Sequence, residues 1–364
     1  MKRALVVASV GGFIDFEKDN IHRLETLGYK VDIACATDGW EKYLDSFTQE
    51  IINIPFSRNP ISRKNIKAYF EIKHLLSKNN YDLVHCHTPV AGMLTRIASK
   101  TIRTHSFIIY TAHGFHFYHG APILNWLIYY PVEWLCSWYT DTLITINSED
   151  YIFAKKKMHA KKIEYVPGIG INVSEIRKDI VDLREKREEL IDGNCKMILS
   201  VGELNVNKNH KIVLESLAKI NDPSLHYFIA GEGELKESLI EMAKKLSIDK
   251  QVHLLGYRND IIDLLKCVDL FCFPSFREGL SVALMEAIAC GTPVLCSDIR
   301  GNRDLAEGNS NILLFNPLDD DDCSKKIVQA LCLERKEGDS IYKFSQDEVN
   351  IKMKNIYARI DKKG

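Results

Sequence analysis

Short continuous apolar runs recur along the first half of the chain, at Ala4–Ser9, Val31–Ala36, Ile51–Pro55, Leu83–His87, Phe107–Thr111 and Leu143–Ile146. Their lengths, and the turn residues between them, predict strands buried on both faces, as in a parallel sheet. Segments with apolar positions at helical spacing, such as Asn65–Ser77 and Ala91–Ser99, lie between most of them. This alternation predicts βαβ units with helices on both faces of the sheet. A second series starts at Met197–Val201 and continues through Tyr227–Ala230, Val252–Leu255, Leu270–Phe273, Val294–Cys296 and Ile312–Phe315. Its helices fall at Ile212–Ile220, Leu235–Leu246 and Ser281–Ala289. Pro167-Gly168-Ile169-Gly170 punctuates the two series, and a charged, helix-prone stretch, Ser174–Leu190, follows. The pattern predicts two Rossmann-like, doubly wound α/β domains, residues 1–170 and 171–345. The last helix-like stretch, 346–362, is free to return to the first domain. Two such domains in tandem are expected to face each other across a cleft, where strand carboxyl ends meet a ligand from both sides.

Composition narrows the class. The 364 residues suffice for two domains with their own cores, and 46% hydrophobic with 27% charged residues is the balance of a globular protein. A net charge of −1 gives no basis for a nucleic-acid partner. The ten cysteines are scattered, with no C-x-x-C pair, and Met1-Lys2-Arg3 runs straight into a strand-like stretch. Both features lead to the expectation of a cytoplasmic chain with reduced thiols. Within 121–139, Trp126, Tyr130, Trp134 and Trp138 recur every four residues, while Asn125, Pro131 and Glu133 argue against a bilayer span. Such a stripe is either core or an interfacial helix at the inner face of the plasma membrane. In the second case Arg58, Arg63, Lys64, Lys67 and Lys73 would add attraction to anionic lipid.

The candidate chemistry gathers after Leu270–Phe273. Pro274-Ser275 ends that strand, and Val282, Leu284, Met285 and Ile288 have helical spacing until Gly291 and Pro293. Glu278 therefore lies in the turn and Glu286 on the following helix. The first N–H groups of that helix lack internal partners and suit an anionic phosphate. A phosphate-binding helix end beside two carboxylates for hydroxyl groups fits a nucleotide sugar. Taken alone, the glutamate pair also fits a solvated surface turn.

Glu278-Gly279, Glu286-Ala287, Gly291-Thr292-Pro293-Val294 and Gly301 resemble the donor-site signature of family-four retaining glycosyltransferases, which have the GT-B fold. Thr111-Ala112-His113-Gly114-Phe115-His116 is similar to bacterial members that build capsular, exopolysaccharide and other surface glycans. The resemblance covers nearly the whole chain. It implies that Glu286 accepts from ribose hydroxyls, and that Glu278 contacts the sugar ring or orients the diphosphate. It also implies that N–H groups around Gly279, Leu280, Ser281 and Val282 hold that diphosphate. Lys208, a few residues after Gly202, matches the basic residue that neutralises it, and Tyr257 and Arg258 stand where the main chain reads the base. Gly11 and Gly12 match a loop set against donor phosphate or acceptor, and His113 the histidine that faces the donor sugar. By this resemblance His113, Glu278 and Lys208 are expected to carry catalysis.

One departure stands out. Many members have Arg where this chain has Glu203, so Lys208 acts alone, another cation such as Arg258 or Arg303 assists, or Glu203 faces away. His85, His87, His113, His116 and His119 are metal-ligand types, yet their aromatic spacers read as a cleft-lining loop. Asp319–Asp322 reads as the cap of a helix starting near Ser324. No metal or other cofactor is therefore expected. The implied activity is metal-independent, retaining transfer from a nucleotide sugar, expected to be a UDP-sugar, to a hydroxyl of a glycan, expected to be lipid-diphosphate-linked. A sugar-nucleotide epimerase and a catalytically silent partner subunit are the alternatives. A dinucleotide-dependent dehydrogenase is disfavoured, because Gly11-Gly12-Phe13 is no G-x-G-x-x-G.

Overall fold

The computed structural model describes residues 2–178, 183–191, 193 and 195–360. The chain forms two compact units, one of Met1–Ile169 with Val349–Gly364 and one of Gly170–Glu348.

The first unit is built on β1 (Lys2–Val10), β2 (Tyr29–Ala36), β3 (Glu50–Asn53), β4 (Leu83–His87), β5 (Phe107–Ala112), β6 (Thr142–Thr145) and β7 (Lys162–Tyr165). They form a seven-stranded sheet in the order β3-β2-β1-β4-β5-β6-β7, with every pair parallel. One face packs on the helices Lys64–Lys78 and Pro89–Ile102 through Ala68, Ile72, Leu76, Ala91, Leu94 and Ala98. The other packs on Lys18–Thr26 through Ile21 and Leu24 and on Gln346–Ala358 through Val349, Met353, Ile356 and Tyr357. The last helix thus belongs to the first unit, and residues 361–362 of the predicted stretch lie outside the described residues. Strand alternation sorts β4 between the two layers. Val84 and Cys86 enter the first core and Leu83 the second, so His85 and His87 share the side of Leu83.

The second unit carries β8 (Lys196–Val201), β9 (Leu225–Ala230), β10 (Val252–Gly256), β11 (Leu270–Phe273), β12 (Val294–Ser297) and β13 (Ile312–Phe315). Their order is β10-β9-β8-β11-β12-β13, again all parallel. Two buried clusters cover its faces, one around Leu199, Phe271 and Met285, the other around Ile198, Val213 and Leu295.

Several local details differ from the sequence pattern. Strand β7 has no apolar run to announce it, because Lys162-Ile163-Glu164-Tyr165 is a half-exposed edge strand. The helix after the acidic run starts at Asp320, not near Ser324. Asp319 caps it by accepting from the N–H groups of Asp321 and Asp322, both at 3.0 Å. The stretch Ser174–Leu190 breaks into helices Val173–Ile176 and Leu183–Leu190, and residues 179–182 lie outside the described residues.

The aromatic stripe on the helix Ile123–Ser137 splits in two. Trp126 and Tyr130 turn inward onto Phe117 and Phe153, with ring centroids 5.4 to 5.8 Å apart. Trp134 and Trp138 lie outward against His159, in a row with the exposed Ile123, Leu124, Leu127, Ile128 and Leu135. Glu133, which interrupts the apolar pattern, anchors the helix. Its carboxylate accepts from Arg96 Nη2 at 2.8 Å and Tyr110 OH at 3.0 Å, and all three residues are buried. Among the described residues no helix is long and apolar enough to cross a membrane.

Candidate active site

In each unit the predicted site residues stand at the carboxyl ends of parallel strands, where open α/β sheets bind ligands. Another recess of the first unit, lined by Asn79, Arg103, His105, Trp138 and Asp141, opens at the amino ends of the strands, away from these residues.

In the second unit the loops after β8 and β11 are tied together. The Phe276 N–H donates to the Asn207 carbonyl at 2.8 Å, and Asn207 Nδ2 donates to the Arg277 carbonyl at 3.0 Å. Buried Asn209 donates to the carbonyls of Pro274 at 3.2 Å and Pro317 at 3.0 Å. Arg300, also buried, donates to the Glu278 carbonyl at 3.4 Å. These anchors fix Lys208 Nζ 2.7 Å from Glu278 Oε1, over the Phe273 ring. Asn207, Asn209 and Arg300 were absent from the sequence-derived site, because their partners are backbone carbonyls more than twenty residues distant. Gly202, with φ +153, leaves the passage that Lys208 uses; a Cβ there would lie 3.0 Å from its Cε. The helix Val282–Ala289 begins at Ser281, whose hydroxyl accepts from the Leu284 N–H at 3.4 Å. Glu286 lies one turn into this helix, and burial pushes its carboxyl up to about 7. A neighbouring hydroxyl donor would favour its ionised form.

The basic side chains considered beside Lys208 are engaged elsewhere. Arg258 donates to Asp260 at 2.5 and 2.8 Å and to Glu189 at 3.2 Å. Arg303 donates to Asp298 at 2.5 Å. Glu203 is exposed and accepts from Asn205 Nδ2 at 2.9 Å. Tyr257 is 79% exposed, so it packs against nothing that would hold it as core.

In the first unit Gly11 and Gly12 open a short helix after β1. The room beside them is filled by Trp40, whose ring would lie 2.2 Å from a Cβ at position 12. His113 follows β5, half-buried, with the edge of Phe13 against it at 4.7 Å between ring centroids. Its Nε2 lies 3.2 Å from His87 Nδ1, which is also 3.2 Å from Glu17 Oε1. His85 is held between Tyr357 OH at 2.9 Å and Thr111 Oγ1 at 2.8 Å. His85, His87 and His113 thus gather beside Glu17, while His116 stacks on Tyr129 instead. Burial lowers His85 to about 3 and His113 to about 4, and raises Glu17 to about 8. Glu17 escaped the sequence reading, since nothing in its own segment marks it as the partner of a residue seventy positions away.

Two parallel α/β units with candidate site residues at their strand ends define the doubly wound α/β class, and comparison with known proteins makes the class specific. The profile of the glycosyl transferases group 1 family matches residues 182–345, and that of the glycosyl transferase 4-like family matches residues 8–148. EpsD of Bacillus subtilis (strain 168), described as a glycosyltransferase, is 34% identical over 91% of this chain and 90% of its own. The chain belongs to this glycosyltransferase family. An Escherichia coli UDP-Gal:alpha-D-GlcNAc-diphosphoundecaprenol alpha-1,3-galactosyltransferase is 29% identical over 83% of this chain and 80% of its own. Among solved structures, Anabaena HepE in complex with UDP and glucose superposes with a TM-score of 0.78 at 17% identity, covering 99% of this chain and 100% of HepE. Sucrose-phosphate synthase from Thermosynechococcus elongatus gives 0.77 at 16%, covering all of both chains. The fold is that of the GT-B glycosyltransferases.

Proposed function

We propose that this glycosyltransferase moves a sugar from a UDP-sugar to a hydroxyl of a glycan carried on a lipid diphosphate, with retention at the anomeric carbon and without a bound divalent ion. The observation that carries the reading is Lys208 beside Glu278 at the amino end of the helix Val282–Ala289, with Glu286 one turn on. A cation and free backbone N–H groups suit the charge that grows on a leaving diphosphate. Glu286 takes the ribose hydroxyls, Glu278 orients Lys208 and meets the sugar ring, and Gly202, Gly279, Leu280 and Val282 frame the phosphates. His113 positions the sugar. No carboxylate is assigned as a glycosyl nucleophile, so the acceptor attacks from the face the diphosphate leaves, and a diphosphate oxygen takes its proton.

The lipid-linked acceptor rests on two supports. The relative from Escherichia coli acts, by its name, on a diphosphoundecaprenol-linked sugar. The outward row Ile123, Leu124, Leu127, Ile128, Trp134, Leu135 and Trp138 also suits the headgroup region of a bilayer. The helix Lys64–Lys78, joined to this helix through Pro89–Ile102, exposes Ile66 and Phe70 among Lys64, Lys67 and Lys73. The peripheral contact is then with anionic lipid on the cytoplasmic face.

The test is a thermal-shift screen of the purified chain against UDP-, GDP- and ADP-sugars, followed by transfer to lipid-diphosphate-linked acceptors. A UDP-sugar should stabilise the chain and be consumed only with acceptor present. Conversion of donor to an isomeric nucleotide sugar without acceptor would establish the epimerase instead.

A further inference from the structure

We propose that Glu17, acting through His87, decides which ring nitrogen of His113 carries the proton, and so whether the other nitrogen donates or accepts toward a ligand. In this scheme Glu17 and His87 are positioning residues. The proposal rests on the reading of His113 given above.

The geometry is a relay with a single hinge atom. His87 Nδ1 lies 3.2 Å from Glu17 Oε1 and 3.2 Å from His113 Nε2. The opposite nitrogen, His87 Nε2, is buried without a hydrogen-bond partner. Nothing on that side pins the tautomer of His87, so the Nδ1 side sets it. Glu17 and His87 are each 1% exposed or less, which keeps water from substituting for either contact. His87 is held in place. Phe13 packs on its ring at 5.8 Å, His85 at 4.0 Å, and the next residue, Thr88, sits at φ +62, a conformation rare for a β-branched residue.

The protonation states follow from the donors available. Glu17 Oε2 accepts from Asn20 Nδ2 at 2.6 Å, so a protonated Glu17 carries its hydrogen on Oε1. That hydroxyl donates to His87 Nδ1, which is then an acceptor. His113 turns an N–H toward the same nitrogen, sharing its lone pair with the Glu17 hydroxyl rather than setting a second lone pair against it, so the proton of His113 sits on Nε2. When Glu17 loses its proton to solvent, His87 takes its own proton on Nδ1 and donates to the carboxylate and to His113. His113 Nε2 then accepts, and its proton sits on Nδ1. Each ring keeps one proton throughout; only its position exchanges.

Several groups bear on the carboxyl of Glu17. Arg23 and Asp19, from the helix Lys18–Thr26, favour and oppose ionisation respectively. Tyr357 from the C-terminal helix, His85 and His87 from β4, and His113 after β5 complete its surroundings. Desolvation exceeds the help from Arg23 and Asn20, and the carboxyl is raised to about 8.

The experiment is long-range proton–nitrogen NMR of the full chain labelled with nitrogen-15 histidine, from about pH 6 to about pH 10. His113 is assigned by loss of its signals in His113→Gln. The expected result is a change of His113 from the Nε2–H to the Nδ1–H form with a midpoint near 8. Glu17→Gln, whose amide still gives Asn20 an oxygen and His87 a donor, should hold the Nε2–H form throughout. If that variant fails to fold, Arg23→Met leaves the relay intact and should move the midpoint upward. A His113 tautomer that is the same at both ends of the range, or that follows the wild type in Glu17→Gln, overturns the proposal. An unchanged midpoint in Arg23→Met does the same. Turnover of His113→Ala reports separately on the role of His113. Unaltered turnover removes that role and leaves the NMR result standing on its own.

Discussion

Lys208 Nζ and Glu278 Oε1, seventy residues apart in sequence, meet at 2.7 Å on two loops that backbone hydrogen bonds hold together. If Lys208 meets the leaving diphosphate as proposed, Glu278 aims its ammonium and the two side chains act as a unit. Lys208→Ala should lower kcat by about 100-fold or more, the scale of losing one transition-state donor, with a smaller change in acceptor KM. In a double-mutant cycle with Glu278→Gln the effects should fall short of additivity by about 0.5–3 kcal/mol. Steady-state kinetics of the four proteins decides this, and strict additivity would mean that the contact has no role in turnover.

Glu286 gives a pH signature. Burial raises its carboxyl from 4.5 to about 7 in the folded chain. The folded pKa is the higher one, so the stability contribution is fully present below 4.5 and lost as pH rises through about 7. Ribose hydroxyls donating to the carboxylate should reverse the shift, so nucleotide binding near neutrality should release a proton. Calorimetry in two buffers of different ionisation enthalpy measures this. Glu286→Gln should abolish the release and weaken UDP binding by about 1.5–3 kcal/mol.

The Arg96–Glu133 pair anchors the apolar helix. Removing one partner strands a buried charge, so Glu133→Ala should destabilise the chain by about 3–5 kcal/mol. Chemical denaturation measures this. Replacing both residues by apolar ones should cost far less.

Leu127→Glu with Trp138→Glu should abolish flotation with vesicles containing anionic lipid and leave Tm nearly unchanged, since both side chains are exposed. Retained flotation would show that this row of side chains is not the contact.

Gly301→Ala tests how closely the second unit is packed at the Gly279 loop. A Cβ at that position would lie 2.1 Å from the Gly279 carbonyl oxygen, so the loop must shift. A several-fold rise in donor KM with acceptor KM unchanged is the expected outcome.

The strands were readable because parallel sheets buried on both faces leave uninterrupted apolar runs, as at Leu83–His87 and Leu270–Phe273. Strand β7 failed that test, since an edge strand alternates polar and apolar residues. The turn at Glu278 and the helix holding Glu286 were equally legible, because a strand, a Pro-Ser stop and a new helix follow one another within twenty residues. Asn209, Arg300 and Glu17 were not. Each acts on a group that only the tertiary fold brings near, and a polar residue at a loop or short helix looks the same whether solvated or buried. The tryptophan stripe shows a further limit: spacing by four fixes one face of a helix, and the wide face here divides between core and surface along its length.

The C-terminal helix also bears on how the protein comes into being. Most of the first unit precedes the second in the chain, yet Met353, Ile356 and Tyr357 close one side of its core and Tyr357 bonds His85. The second unit, Gly170–Glu348, is continuous and complete before those residues leave the ribosome. Maturation therefore runs against the order of synthesis: the unit made second has all its chain first, and the histidine network of the first is sealed only after the helix Gln346–Ala358 has emerged.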